Sequence, residues 1–416
     1  MARLLAILGS GETAPTMVKP HRQLFERLGP DPVPAVLLDT PYGFQANADD
    51  ISARAVDYFA ASVGRPVGAV ELRRVEGADP VRTEAALARL AAARWVFAGP
   101  GSPTYALRQW AGTDVPPLLA DKLADGGCVV FASAAALTLG RYTVPVYEVY
   151  KVGADPVWAP GLDLLGALGP DVAVIPHYDN AEGGNHDTRF CYLGESRLAA
   201  LEAQLPDTGW VLGVDEHTGC VIDLDAGTAT VVGNGVVTVR RGGRSEVVAG
   251  GETLPLGALV DLAFGKKAAS MPLPPPPGPS AEAAPTALHA EIRRLETEFD
   301  AAVGALDVDA AVRAVLELDD TLVAWSGDTT QSDAGDRGRA ALRRMVVRLG
   351  ELARTGARDP KEVVGGFVDA LLEERALARD NRRFDDGDRI RDALVVLGVE
   401  VRDTADGTHW ELKSEV

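Results

Sequence analysis

Cysteine is scarce: three residues in 416, Cys128, Cys191 and Cys220, at no disulfide or metal-ligand spacing. An odd, unpatterned set argues against a disulfide framework and fits a reducing compartment, so a cytoplasmic protein is expected. No apolar run approaches the roughly 18–20 residues that span a bilayer, so no membrane partner is expected. The first twelve residues carry one Arg and a short apolar run at 4–8, which reads as a buried strand rather than a leader. Positive charge is also short. The 41 Lys and Arg face 60 Asp and Glu, a formal charge of −19 that disfavours a general nucleic-acid binder. Only six histidines are present, so imidazole chemistry has few candidates.

What remains is an ordinary globular composition, 46% hydrophobic and 24% charged, which excludes disorder of the whole chain. The length predicts two or three domains. The clearest seam is the run MPLPPPPGPS at 271–280, which favours extended polyproline conformation and cannot continue a helix or a central strand. Residues 266–287 are therefore read as a linker between a domain at 1–265 and a second at 288–416. Before the seam, β-branched runs at 4–8, 35–39, 70–72, 95–98, 128–131 and 172–175 alternate with helical spacing at 50–63 and 82–93. That alternation predicts an α/β domain with a mostly parallel sheet flanked by helices, ending in antiparallel strands over 210–248. After the seam, segments 288–304, 306–325, 337–354 and 360–380 carry amphipathic helical spacing and predict a bundle. A helix ending at Gly398 and a hairpin around residues 405–407 close the chain. The second domain carries a net charge of −9 and the rest −10, so neither half is basic.

Three small-residue loops follow strands in the first domain. Gly9-Ser10-Gly11-Glu12-Thr13-Ala14 fits the dinucleotide pattern G-x-G-x-x-A, but the acid closing the next strand is Asp39, too late for that unit. A tight turn explains these glycines equally well, and no cofactor is assigned. The loop Gly99-Pro100-Gly101-Ser102 offers backbone N–H groups at a strand's carboxyl end. Strand 128–131 runs into Ala132-Ser133-Ala134-Ala135-Ala136, where a Ser at a strand-to-helix turn among small residues has the logic of a nucleophile elbow. His177, just past the strand at 172–175, is a candidate base. Glu148, among apolar residues, is a candidate orienting acid. A rival use of the polar residues His177, Asp179, His186, Asp187, Asp215, Glu216 and His217 is metal binding, but no H-E-x-x-H or paired C-x-x-C spacing is present and no metal is assigned.

These segments resemble the dipeptidase E and cyanophycinase family of serine peptidases, of the class I glutamine amidotransferase-like fold. The matching segments are 98–102, 131–136, 176–180 and 213–218, and the resemblance covers most of residues 1–240. It implies Ser133 as nucleophile, His177 as base, Glu148 as acid, and the N–H groups of Gly101 and Ala134 as an oxyanion hole. Arg189 and Glu216 are assigned to substrate. The family elbow usually reads G-x-S-A-G, whereas Phe131 and Ala135 stand at its glycine positions here, so a crowded turn is expected. Amidotransferase chemistry proper needs a Cys at the elbow, and Cys128 lies five residues earlier.

The tail, from 371 through Asp388-Arg-Ile-Arg-Asp392 to His409-Trp410, resembles the C-terminal end of cysteinyl-tRNA synthetases. That resemblance implies a helical bundle leading into an anticodon-reading module, with Arg391 and Asp403 facing bases. The synthetase's H-I-G-H, K-M-S-K-S and zinc-binding cysteines are absent, so tRNA charging is excluded. The expected function is a serine hydrolase cleaving a peptide or small amide. Its tail would meet tRNA, a protein partner or a second copy in a homodimer. The alternative is a catalytically inactive binding module with the same tail.

Overall fold

The computed structural model describes residues 2–180, 187–265, 288–327, 334–355, 360–404 and 407–413. The expected linker at 266–287, the hairpin residues Ala405 and Asp406, and His186 lie outside them. The chain divides into two compact units, Met1–Leu288 with Thr321–Gly335, and His289–Asp320 with Asp336–Val416.

The first unit holds two mixed sheets, in which parallel strands are joined by antiparallel ones lying largely within the expected 210–248 stretch. The larger has eight strands in the order Thr253–Pro255, Thr228–Gly233, Thr218–Asp223, Arg3–Leu8, Gly127–Ala132, Trp95–Ala98, Ala35–Leu37 and Gly68–Ala69. The five from Arg3–Leu8 onward pair in parallel, and the other three join antiparallel. The second sheet has six strands, with Val172–Ile175 and Trp210–Val214 as adjacent parallel neighbours. The continuous apolar run at 4–8 follows from burial on both faces. Leu5 and Ile7 enter one core, while Leu4, Ala6 and Leu8 enter the other. The strand Gly127–Ala132 divides the same way, Val129 and Phe131 to one core and Cys128, Val130 and Ala132 to the other.

One local expectation shifts. The helix expected at 50–63 is α-helix over Ala48–Tyr58 and a wider turn over Phe59–Val63. Glu148, set among apolar residues, opens a helical turn, Glu148–Val152.

In the second unit, which resumes at Asp336 within the helix Ala334–Thr355, helices Pro360–Asp380 and Phe384–Val396 are followed by the hairpin strands Val399–Thr404 and Gly407–Leu412. Val368, Leu394, Val399 and Val401 form a small core, with Trp410 packed on it and its Nε1 donating to Asp369 Oδ1 at 2.8 Å. Among the described residues, no helix is long and apolar enough to cross a membrane.

Candidate active site

The strand Gly127–Ala132 ends in extended backbone at Ala132, and Ser133 turns sharply with φ of +50° into the short helix Ser133–Leu137. A left-handed non-glycine residue costs roughly 1–3 kcal/mol and persists only where its surroundings impose it. Here the helix is pinned against the neighbouring loop, Ala135 N–H donating to the Gly99 carbonyl at 3.2 Å, and Ala134, Ala135 and Ala136 are buried. Small side chains allow that approach. The crowding expected from Phe131 does not arise, because its ring points into the core 6.1 Å from Trp110.

His177 follows the strand Val172–Ile175 in the other sheet, also at positive φ, +48°. Its Nε2 lies 2.9 Å from Ser133 Oγ, so the pair bridges the two sheets. On the far side of the ring, Nδ1 lies 2.8 Å from Glu216 Oε1. A carboxylate only accepts, so Nδ1 carries the proton and Nε2 is left to accept from the Ser133 hydroxyl. Glu216 also accepts from Asn180 Nδ2 at 3.2 Å, and its N–H donates to Asp179 Oδ1 at 2.8 Å. Burial would raise the Glu216 carboxyl, but the hydrogen bond and charge of His177, with Asn180, outweigh it and hold the group below its ordinary value. Asp215, beside it, shows the opposite balance. Burial first, then the neighbouring Asp179 and Glu216 carboxylates, push it up to about 6.

The carboxylate on His177 is thus Glu216 and not Glu148. Glu148 Oε1 accepts from Thr104 Oγ1 at 2.7 Å, and its buried Oε2 meets no hydrogen-bond partner among the described residues. The bond from Thr104 ties its helical turn to the helix Pro103–Trp110. The assignment of Glu216 to substrate is corrected with it, since its Oε1 accepts from His177 and Asn180 and the residue does not line the cavity at Ser133. Arg189 is also engaged elsewhere: Nε and Nη2 meet the two Asp187 oxygens at 2.8 and 2.9 Å, and its guanidinium lies 4.9 Å from the Phe190 ring centre. It braces a turn and does not line the cavity.

Gly101 and Ala134 both line a cavity of about 380 Å³ that opens at Ser133 and His177. Gly101 has φ of +134°, and a Cβ there would stand 2.1 Å from the Pro41 carbonyl oxygen, so the loop's path demands glycine. The glycines of the first loop have a packing reason as well. A Cβ on Gly9 would meet the Asp215 carbonyl at 1.9 Å and one on Gly11 the His217 ring at 2.1 Å. That loop packs against the turn carrying Glu216, which accounts for the glycines without a dinucleotide.

Sequence reasoning missed one element of the site. Phe190, Cys191 and Tyr192 all have positive φ, 61°, 55° and 64°, a left-handed turn containing no glycine to betray it. Cys191 N–H donates to the His177 carbonyl at 3.1 Å and Phe190 N–H to the Tyr178 carbonyl at 3.0 Å, fixing the histidine's loop. The turn also places Tyr192 in the cavity wall, 5.0 Å from the Tyr150 ring. Among the described residues no group of three or more His, Cys, Asp or Glu is arranged to hold a metal ion. His217 Nδ1 instead lies 3.2 Å from Thr16 Oγ1.

In the second unit Asp403 is held by Arg375, whose Nη1 and Nη2 lie 2.9 and 2.7 Å from its two oxygens, and by Thr408 Oγ1 at 2.9 Å. These bonds hold the Asp403 carboxyl well below its usual range. It therefore braces hairpin to helix rather than standing free for a base. Arg391 is exposed on the helix Phe384–Val396. Arg375 is itself buried, and nothing in the sequence signalled it, since Leu371 one turn before it is exposed.

Comparison with known proteins fits the two parts separately. Residues 366–410 match the family model described as the cysteinyl-tRNA ligase anticodon binding domain. The cysteine–tRNA ligase of Salinibacter ruber is 49% identical over 49 residues, 12% of this chain and 10% of that protein. That of Leifsonia xyli subsp. xyli is 30% identical over 119 residues, 26% of this chain and 25% of that protein. The chain thus spans a quarter or less of the length of these curated relatives. For the first unit, the crystal structure of a peptidase from an acI-B1 Actinobacterium aligns with a TM-score of 0.50 and 20% identity, covering 61% of this chain and 97% of that one. The chain joins a peptidase-type fold to a tail resembling an anticodon-binding domain. At 20% identity the structural likeness establishes the fold, and the chemistry rests on the site itself.

Proposed function

We propose that the first unit is a serine hydrolase acting on a peptide or related amide. Ser133 attacks the acyl carbonyl, His177 takes its proton and later delivers it to the leaving group, and Glu216 orients the ring and stabilises the imidazolium. The N–H groups of Gly101 and Ala134 face the developing oxyanion. One observation carries this reading: an unbroken relay, 2.9 Å from Ser133 to His177 and 2.8 Å from His177 to Glu216, at the mouth of a cavity. The inactive-module alternative would have no use for a seryl residue strained to φ of +50°. Labelling with a fluorophosphonate, mapped by mass spectrometry, tests it. Modification of Ser133 that disappears in His177→Ala is expected, and unlabelled, folded protein would reject the hydrolase.

For the second unit we propose tRNA recognition, supported by the match at 366–410. Its net charge of −9 gives little general phosphate attraction, so binding has to come from specific contacts with single-stranded bases. A gel shift of the full chain with Cys-accepting tRNA at two salt concentrations tests this. A complex with a shallow salt dependence is expected, and absence of any shift would end the RNA reading.

A further inference from the structure

The cavity at Ser133 carries a charge pattern that the relay does not use. Arg54, from the helix Ala48–Tyr58, and Lys151, from the turn Glu148–Val152, both line it, and among the described residues no aspartate or glutamate does. Among the described residues neither cation forms a salt bridge. Arg54 Nε reaches only as far as its own helix carbonyl at Asp50, 3.4 Å away, and the Lys151 ammonium lies 5.2 Å from the Tyr150 ring centre. In a chain of formal charge −19, two unopposed cations at one cavity single out an anionic ligand. The same wall carries Tyr147, Tyr150 and Tyr192, which offer flat π faces. The volume, about 380 Å³, falls at the small end of ligand sites and suits a nucleoside with a short acyl group.

We propose that the acyl group this hydrolase removes is an aminoacyl ester on the terminal ribose of a tRNA. The cavity cations would meet phosphate and the tyrosines would take the base. This rests on the hydrolase reading above and adds the substrate class to it. The tRNA recognition proposed for the second unit points to the same class of polynucleotide. The step balances without a cofactor. Ser133 Oγ bonds to the acyl carbon while its proton passes to His177 Nε2. The bond between that carbon and the ribose oxygen then breaks, and His177 protonates the released ribose hydroxyl. Water hydrolyses the Ser133 ester in turn, freeing the amino acid and restoring the serine hydroxyl.

The test uses the full chain with a tRNA pool charged with radiolabelled amino acids, alongside a neutral p-nitrophenyl ester and a panel of dipeptides. Expected is loss of acid-precipitable label faster than spontaneous deacylation, abolished in Ser133→Ala. Arg54→Ala and Lys151→Ala are expected to raise KM for charged tRNA about tenfold more than KM for the neutral ester, with partial recovery in Arg54→Lys. Turnover of the neutral ester with every charged tRNA left intact would overturn this proposal alone. So would dipeptide cleavage that depends on Arg54 and Lys151 while charged tRNA is untouched, because the cations would then hold a peptide carboxylate. Failure of the neutral ester and of fluorophosphonate labelling together would overturn the hydrolase reading and this proposal with it.

Discussion

His177 Nδ1 lies 2.8 Å from Glu216 Oε1, and the two residues leave adjacent parallel strands of the six-stranded sheet, Val172–Ile175 and Trp210–Val214. Parallel neighbours end on the same edge of a sheet, so residues just past each strand meet although 39 positions separate them in the chain.

That placement separates the two glutamates by experiment. Glu216→Gln keeps the shape but loses the charge that stabilises the imidazolium, and kcat should fall by about 1,000- to 10,000-fold. Glu148→Gln touches Thr104 and not His177, so fluorophosphonate labelling should stay near the wild-type rate. Labelling rates of the two variants decide the assignment, and a larger loss in Glu148→Gln would reverse it.

Restoring glycine at position 131 should harm rather than help. The Phe131 side chain is fully buried beside Trp110, so Phe131→Gly opens a core cavity and is expected to cost about 3–5 kcal/mol in urea unfolding. Faster labelling of the variant at Ser133 would show that the phenyl ring does crowd the turn.

Gly101→Ala should lose activity through the backbone. The new methyl would meet the Pro41 carbonyl at 2.1 Å and the residue would sit at an unfavourable φ, so the loop must move and carry its N–H with it. Removing one oxyanion donor is expected to lower kcat about 100- to 1,000-fold. Steady-state kinetics together with a thermal melt separate this from simple unfolding.

Asp215 gives a pH signature. Its native pKa, about 6, lies above its ordinary 3.8, so between those values the folded state binds more protons than the unfolded one. Its contribution to stability therefore declines as pH rises through that window. Relative to Asp215→Asn, the wild type should lose about 1–3 kcal/mol between pH 4 and pH 7. Denaturant titrations of both proteins across the range check the sign, and parallel curves would refute it.

In the second unit, Arg375 is nearly buried and its partner Asp403 is half exposed, with side-chain accessibilities of 4% and 52%. Asp403→Asn should destabilise the hairpin by about 1–3 kcal/mol, because it leaves a buried guanidinium without its anion. Arg391→Ala, on an exposed helix position, should leave the melt unchanged and weaken any tRNA complex. Calorimetry and gel shifts on the same variants distinguish the bracing residue from the contact residue.

The apolar runs and their periods marked most strands and helices, since burial writes directly into local sequence. Small residues around Ser133 marked the elbow, because a tight strand-to-helix turn tolerates little else. His177 was readable from its place after a buried strand. The acid was not, since Glu148 and Glu216 both follow apolar runs and nothing local says which loop returns to the imidazole. The left-handed turn at 190–192 was equally silent, because its φ values are imposed by hydrogen bonds to Tyr178 and His177 rather than preferred by Phe, Cys or Tyr.

Sequence alone therefore marked the small-residue turn at Ser133 and the character of the tail, both of which depend on neighbours along the chain, but not the segment Thr321–Gly335, which belongs to the first unit. Tertiary structure decided which carboxylate meets His177, the left-handed wall of the cavity and the pairing of Asp403 with Arg375. Each of these depends on which strand ends and helix faces meet in space, a long-range outcome that no local pattern encodes.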